Sequence, residues 1–244
     1  MAHYTCCFIS DTHLGTNISQ AEALSFFLKS NTFDKLYLVG DIIDMVALKK
    51  KFLWSGKHNK VISQLVKLKK KGVNVIYIPG NHDYYMRDFI GEEFGGIPII
   101  MDDVHITSSG KRYLVLHGDE FDGFIKDLFW LYHLGDWAYS IAIVLNAGLN
   151  KLRQFLKLKK WSLSLYLKNK VKNVISFIND FEKLVVDEAK RRNIEGVICG
   201  HIHKAEMKQI ENIHYCNTGC WTEFCSAIIE NEQGDLELIY IEHE

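Results

Sequence analysis

At 244 residues, 48% of them hydrophobic and 12% aromatic, the chain is long enough to bury a full core and lies within the size one α/β domain reaches. Its 29 basic and 30 acidic residues nearly cancel, which excludes the net positive footprint of a general nucleic-acid binder, so no nucleic-acid partner is expected. Nothing before Tyr4 has the n-region and h-region of a signal peptide. The longest uncharged stretch, Trp137 to Asn150, is shorter than the about 20 apolar residues of a spanning helix. A soluble or peripheral protein is expected. Cys6, Cys7 and Cys199 fall in apolar strand-like runs where free thiols act as small buried hydrophobes, and Cys216, Cys220 and Cys225 lack the pairing of a zinc site. These cysteines suit a reducing cytoplasm.

In chain order, an apolar run from Tyr4 to Ile9 predicts a strand ending at Asp11-Thr12-His13. A helix follows over Ala21 to Lys29, with Leu24, Phe27 and Leu28 on one face. A second strand, Lys35 to Val39, runs into Gly40-Asp41-Ile42-Ile43-Asp44. Lys60 to Lys71 repeats the helical pattern with Val61, Leu65 and Leu68 and stops at Gly72, a C-cap signal. The strand Val73 to Ile78 leads to Gly80-Asn81-His82-Asp83. This βαβαβ alternation predicts parallel strands with right-handed crossovers. Strands over Val104 to Thr107 and Arg112 to Leu116 precede His117-Gly118-Asp119, and Gly196 to Cys199 precedes Gly200-His201-Ile202-His203. His214 to Asn217, Ser226 to Glu230 and Leu236 to Ile241, separated by turn signals, suggest a second, mostly antiparallel sheet.

Between the fourth and fifth clusters lie roughly eighty residues rich in Leu, Trp, Tyr and Phe, too long for a simple connection. We read them as a helical insertion over the active site, at approximately 121–190 of a single 1–244 domain. From Trp137 to Asn179 the insertion has no Asp or Glu, while Lys151, Arg153, Lys157, Lys159, Lys160, Lys168, Lys170 and Lys172 all fall inside it. The composition suits a helical hairpin with its own small core. It equally suits a lid with an acyl groove and a basic rim facing a membrane surface.

Each cluster alone has an ordinary reading: Asp11 as a helix cap, Gly40-Asp41 and Gly80-Asn81-His82-Asp83 as turns, His117 and His201 as buried histidines. Five in this order at strand ends form something else. Ligands bind at the carboxyl ends of strands in an open α/β sheet, where these residues would converge. Carboxylate, imidazole and amide donors without thiolate suit a hard or borderline divalent ion such as Mn²⁺. Two ions about 3.5–4 Å apart sharing a carboxylate can clamp the oxygens of an in-line phosphoryl displacement.

The D-x-H, G-D-x-x-D, G-N-H-D, H and G-H-x-H clusters resemble the motifs of the calcineurin-like metallophosphoesterases over Asp11 to His203. The resemblance implies an α/β fold, a four-layer α/β/β/α sandwich of two mixed sheets with a helical lid insertion. It implies that Asp11, His13 and His203 hold one ion, that Asn81, His117 and His201 hold the other, and that Asp41 bridges. His82 is then the catalytic group at the scissile phosphate, Asp83 orients its ring, and Asp44 stands behind the ligands. Two divalent ions are implied, Mn²⁺ first, with Fe²⁺, Zn²⁺ and Mg²⁺ as alternatives.

A narrower resemblance rests on His117-Gly118-Asp119-Glu120-Phe121-Asp122, Leu134-Gly135-Asp136-Trp137-Ala138-Tyr139, Trp161-Ser162-Leu163-Ser164 and Val197 to His203. These look like the UDP-2,3-diacylglucosamine hydrolase group, which releases UMP from a UDP-linked acylated sugar in lipid A synthesis. A cytoplasmic enzyme peripheral to the inner membrane through its basic lid is implied. His82 stands where that group usually carries Arg, and Val46 and Cys220 stand where an aromatic and an acidic residue are expected. A titratable ring in place of a permanent cation suits a different leaving group. A broader phosphodiesterase or phosphatase, and a non-catalytic scaffold of the same fold, are the alternative readings.

Overall fold

Three apolar runs of alternating orientation set the first sheet. In the computed structural model, which describes residues 2–124 and 163–241, they are β1 (His3–Ile9), β2 (Thr32–Val39) and β3 (Asn74–Ile78), all parallel. The sheet continues on the other side of β1 with β11 (Ser226–Glu230) and β12 (Leu236–Tyr240), both antiparallel to their neighbours, in the order β12-β11-β1-β2-β3. The crossovers are α1 (Ala21–Ser30) and the pair α2 (Met45–Lys50) and α3 (Gly56–Lys70).

A second five-stranded sheet has the order β6-β7-β8-β10-β9, from β6 (Asp103–Ile106), β7 (Arg112–Val115), β8 (Gly196–Cys199), β9 (Glu206–Ile210) and β10 (Ile213–Asn217). A small hairpin pairs β4 (Glu93–Phe94) with β5 (Ile97–Pro98).

Period-2 alternation sends neighbouring residues to different cores. Phe8, Tyr37, Val39, Ile76 and Ile78 meet Tyr113, Val115, Ile198 and Cys216 between the sheets. Cys7, Ile9, Leu36, Leu38, Val75 and Tyr77 pack under α1 and α3 against Leu24, Phe27, Leu28, Val61, Leu65 and the fully buried Trp221. Phe8 stacks on Tyr37 with centroids 5.0 Å apart, and the His105 ring meets its edge. All six cysteines are free, and Cys6, Cys7, Cys199 and Cys216 are buried in strands.

The chain divides into two compact units, Met1–Glu120 with Val185–Glu244, and Phe121–Leu184. The last turns of α4 (Leu163–Arg191) belong to the first unit from Val185 onward, where Val185, Val186 and Ala189 are buried. They complete the α/β/β/α sandwich. Among the described residues no helix is long and apolar enough to cross a membrane. The expected segment Trp137 to Asn150, and the basic residues Lys151 to Lys160, lie outside the described residues.

Two expectations need correction. The second sheet is mixed rather than mostly antiparallel, because the long excursion between β7 and β8 returns the chain in the same direction and β10 aligns parallel with β8. The final two strands extend the edge of the first sheet instead, placing Ile228 against Phe8. β9 escaped notice because its Glu-Met-Lys-Gln-Ile sequence is that of a half-exposed edge strand, where charge blunts the unpaired ladder.

Truncating Phe8 to Ala should cost about 3–5 kcal/mol of unfolding free energy with an unchanged denaturant slope. Equilibrium urea unfolding measures it; a loss under about 1 kcal/mol would mean the inter-sheet core is not packed as described.

Candidate metal centre

The carboxyl ends of β1, β2, β3, β7 and β8 run into the five clusters. Backbone bonds stitch these loops together: Asp11 N to Gly40 O at 3.0 Å, His13 N to Asp41 O at 3.0 Å, Gly200 N to His117 O at 3.2 Å, and Trp221 N to Asp11 O at 3.0 Å. Asp11, His13, Asp41, His201 and His203 all have φ between 44° and 72°. A non-glycine residue there is uncommon, and among the described residues only Asn193 and Glu211 share it. The left-handed turns at His201 and His203 show how side chains two apart in sequence are redirected from the alternation of β8.

Two glycines are required by space. A Cβ on Gly40 or Gly80 would run into the His117 ring, and on Gly80 also into Asp41 Oδ1. Sheet 1 and sheet 2 therefore bring Asp41 and His117 together only because these two positions lack side chains.

The side chains converge as two overlapping groups. In one, Asp11 Oδ1 stands 3.1 Å from His203 Nε2 and 4.0 Å from His13 Nε2, with the two imidazole nitrogens 3.3 Å apart. In the other, Asp41 Oδ2 lies 3.5 Å from His117 Nε2 and 3.9 Å from His13 Nε2. Asp41 faces both. His117 and His201 rings approach to 5.1 Å between centroids. The Asn81 amide oxygen is buried with no hydrogen-bond partner, as is His117 Nε2.

The other atom of each group is fixed from behind. His117 Nδ1 lies 2.9 Å from the Val39 carbonyl oxygen, which can only accept, so Nδ1 carries a proton and Nε2 is the atom left facing Asp41. His13 Nδ1 is 3.0 Å from Asp44 Oδ2, which turns its Nε2 inward likewise. Asp11 Oδ2 accepts from Ser10 Oγ and from His201 N at 3.0 Å, and Asp41 Oδ1 accepts from His82 N at 2.7 Å. One oxygen of each carboxylate remains free to face the cluster.

The structure assigns the support of His82 differently from the sequence. His82 Nδ1 lies 2.9 Å from Asp44 Oδ2, so Asp44 backs both His82 and His13 while its Oδ1 accepts from Ala47 N at 2.7 Å and caps α2. Asp83 does not orient the ring. It is fully buried and accepts from the amides of Gly80 (2.6 Å), Ile42 (2.8 Å) and Asp41 (3.2 Å) and from Tyr77 Oη. Asp83 is a positioning residue that pins the second cluster to the third. Ser10 also went unnoticed in the sequence, where nothing separates it from any small residue ahead of a turn.

Buried carboxylates need compensating positive charge. Burial pushes the Asp41 carboxyl up, but the His117, His13 and His82 rings more than offset this and hold it well below the ordinary range. Burial lowers His117 and His203, yet Asp41 raises the first and Asp11 carries the second up to about 10. Burial likewise raises the Cys220 thiol, and the adjacent His203 ring pulls it down to about 7. A bound divalent cation would supply the charge that protons otherwise supply. The donor set fits one: atoms bonded to a single ion at about 2.1 Å stand about 3–4 Å apart, as these do, and Asp11-His13-His203, Asp11-Asp41-His117 and His13-Asp41-His82 each bring three donor atoms close together.

Overlapping oxygen and imidazole groups at the strand ends of a two-sheet α/β sandwich form donor sets that could hold divalent metal. The chain belongs to the calcineurin-like phosphoesterase family, whose model matches residues 4–205, and it is a phosphoester hydrolase. Relatives include the UDP-2,3-diacylglucosamine hydrolase of Photorhabdus laumondii subsp. laumondii, 24% identical with 83% of each chain covered. That of Yersinia pseudotuberculosis is also 24% identical, covering 88% of this chain and 90% of its own. A solved phosphoesterase from E. coli covers 97% of this chain at 16% identity and a TM-score of 0.45.

Asp44→Asn keeps a capping oxygen for α2 but removes the charge behind His13 and His82. Turnover or metal affinity should fall about 10–100-fold with little change in melting temperature; steady-state kinetics and a thermal melt separate the two. A protonated His203 is stabilising below its ordinary value of about 6.5, and that contribution is lost as pH rises toward about 10. Cation binding must displace the proton, so the melting-temperature gain from added Mn²⁺ should grow with pH across this window and binding should release protons. A gain independent of pH would contradict the shared charge balance.

Proposed function

We propose that the chain is a dinuclear metal-dependent phosphohydrolase that cleaves the pyrophosphate of a UDP-linked acylated sugar and releases UMP. The observation that carries the dinuclear reading is the single oxygen Asp41 Oδ2, turned toward both His13 and His117. Asp11, His13 and His203 would hold one divalent ion and Asn81, His117 and His201 the other, with Asp41 shared. The ions, when bound, supply Lewis-acid charge to the phosphoryl oxygens and a nucleophile at neutral pH. Mn²⁺ is the ion we propose, since mixed oxygen and imidazole donors with no thiolate suit it.

The chain's own groups do the rest. His82 keeps about a quarter of its side chain exposed, the solvent-facing member of the cluster. Burial lowers its ring, but Asp44 and Asp41 outweigh this and raise it. These carboxylates favour the protonated ring, the form that can donate to the leaving oxygen. Asp44 holds the ring's far side, and Asp83 fixes the loop that carries it.

Two similar relatives are named for hydrolysis of UDP-2,3-diacylglucosamine, and their similarity spans most of both chains, so the substrate class is our reading from them. We assign acyl-chain binding to the insertion at approximately 121–190, whose acid-free basic composition suits an anionic lipid surface. A second reading, a broader diesterase, is favoured by His82 itself, a titratable donor indifferent to the identity of the leaving group.

Mn²⁺-loaded protein incubated with UDP-diacylglucosamine should release UMP; turnover of a generic diester without UMP release would support the second reading instead. Asp41→Ala should abolish turnover and lower bound metal below two per chain by elemental analysis. Unchanged turnover would overturn the mechanism.

A further inference from the structure

Charge on this chain is segregated in a way its net value of −1 conceals. From Met45 to His82, the stretch that forms α2, α3 and β3, there are nine lysines and no Asp or Glu. Among the described residues none of the nine takes part in an ion pair. Lys49, Lys50, Lys51 and Lys60 are exposed and Lys57 is half-buried, and all five lie where α2 ends and α3 begins. α2 starts at the metal centre, where Asp44 caps it and Met45 N bonds to the His82 carbonyl at 3.0 Å, and these lysines follow within that six-residue helix, the turn after it and the start of α3.

The lysines adjoin an apolar tip. Phe52 is 76% exposed, and Leu53 and Trp54 beside it are half-buried. The Trp54 ring leans on His58 at 5.2 Å and packs against the helix-side core, while its Nε1 donates to Asn59 Oδ1 at 2.7 Å, so the half-buried indole roots the tip from which Phe52 projects. Tyr84 is 43% exposed, and Lys49 Nζ bonds Tyr85 Oη at 3.0 Å. Phe52 is the most exposed large apolar side chain among the described residues. Aromatic anchors amid uncompensated lysines are the composition of an interfacial element on an anionic bilayer.

We infer that the turn from Lys49 to Lys60 docks the catalytic unit itself on an anionic lipid surface, with Phe52 inserted and Lys49, Lys50, Lys51, Lys57 and Lys60 over the headgroups. This contact is separate from the insertion to which membrane contact was assigned above. It rests on the lipid-linked substrate reading only for its purpose, because a surface beside the metal centre shortens the path of a membrane-held substrate. Binding to vesicles is read without substrate.

The full chain and a Lys50→Glu, Lys51→Glu, Phe52→Ser variant would be floated with vesicles of phosphatidylglycerol and phosphatidylethanolamine, and with pure phosphatidylcholine. The parent should bind the anionic vesicles with an affinity that falls with salt, and the phosphatidylcholine vesicles far more weakly. The variant should lose on the order of 100-fold while hydrolysing a small soluble diester at the parent rate. Parent-like vesicle binding by the variant would place docking in the insertion and overturn the inference. So would equal binding to both lipids, no binding by the parent, or preferential capture of a single-stranded oligonucleotide over anionic vesicles. If UMP release fails while flotation succeeds, the substrate reading falls and the docking surface stands.

Discussion

Everything at this centre depends on five backbone turns through the left-handed region. Asp11, His13, Asp41, His201 and His203 each hold a conformation disfavoured for residues with a Cβ, at on the order of 1–3 kcal/mol apiece. Such strain persists only where the surroundings over-determine it. Here the first two loops are hydrogen-bonded to each other, the last two likewise, and Trp221, buried in the helix-side core, ties its amide to the Asp11 carbonyl. Asp83 adds the third loop by collecting amides from both sides. The sandwich stabilises the turns, and the turns aim the side chains.

The same convergence creates an electrostatic problem that only cations solve. Asp11 and Asp41 are almost wholly inaccessible, and Asp83 behind them is raised by burial and by Asp41. Asp83 can remain there because it faces amides and a phenol rather than the ligand side. The division gives four acidic residues three tasks: Asp11 and Asp41 each turn one oxygen toward the donor cluster, Asp44 stands behind two imidazoles, and Asp83 faces the backbone. In the sequence the three clusters look alike.

That difference marks the limit of what the chain reveals before folding. Apolar runs ending in Gly, Asp or His located β1, β2, β3, β7 and β8 and the convergence of their loops, because burial on both faces and turn chemistry are local properties. The identity of a carboxylate's partner is not local. Asp83 lies 42 residues from the Asp41 amide it accepts, and Asp44 lies 31 from His13, so neither pairing leaves a mark in spacing. Sheet membership failed for the same reason: β11 and β12 have the alternation of any antiparallel pair, and only the edge of β1 decides where they add. α2, six residues long, has too few turns for a periodic signal.

In the proposed site Asp41 is shared by two ions. Anomalous diffraction from Mn²⁺-loaded crystals tests it directly: two peaks about 3.5–4 Å apart should straddle Asp41, one beside Asp11, His13 and His203 and the other beside Asn81, His117 and His201. A single peak at full metal loading, or two peaks of which only one touches Asp41, would contradict it.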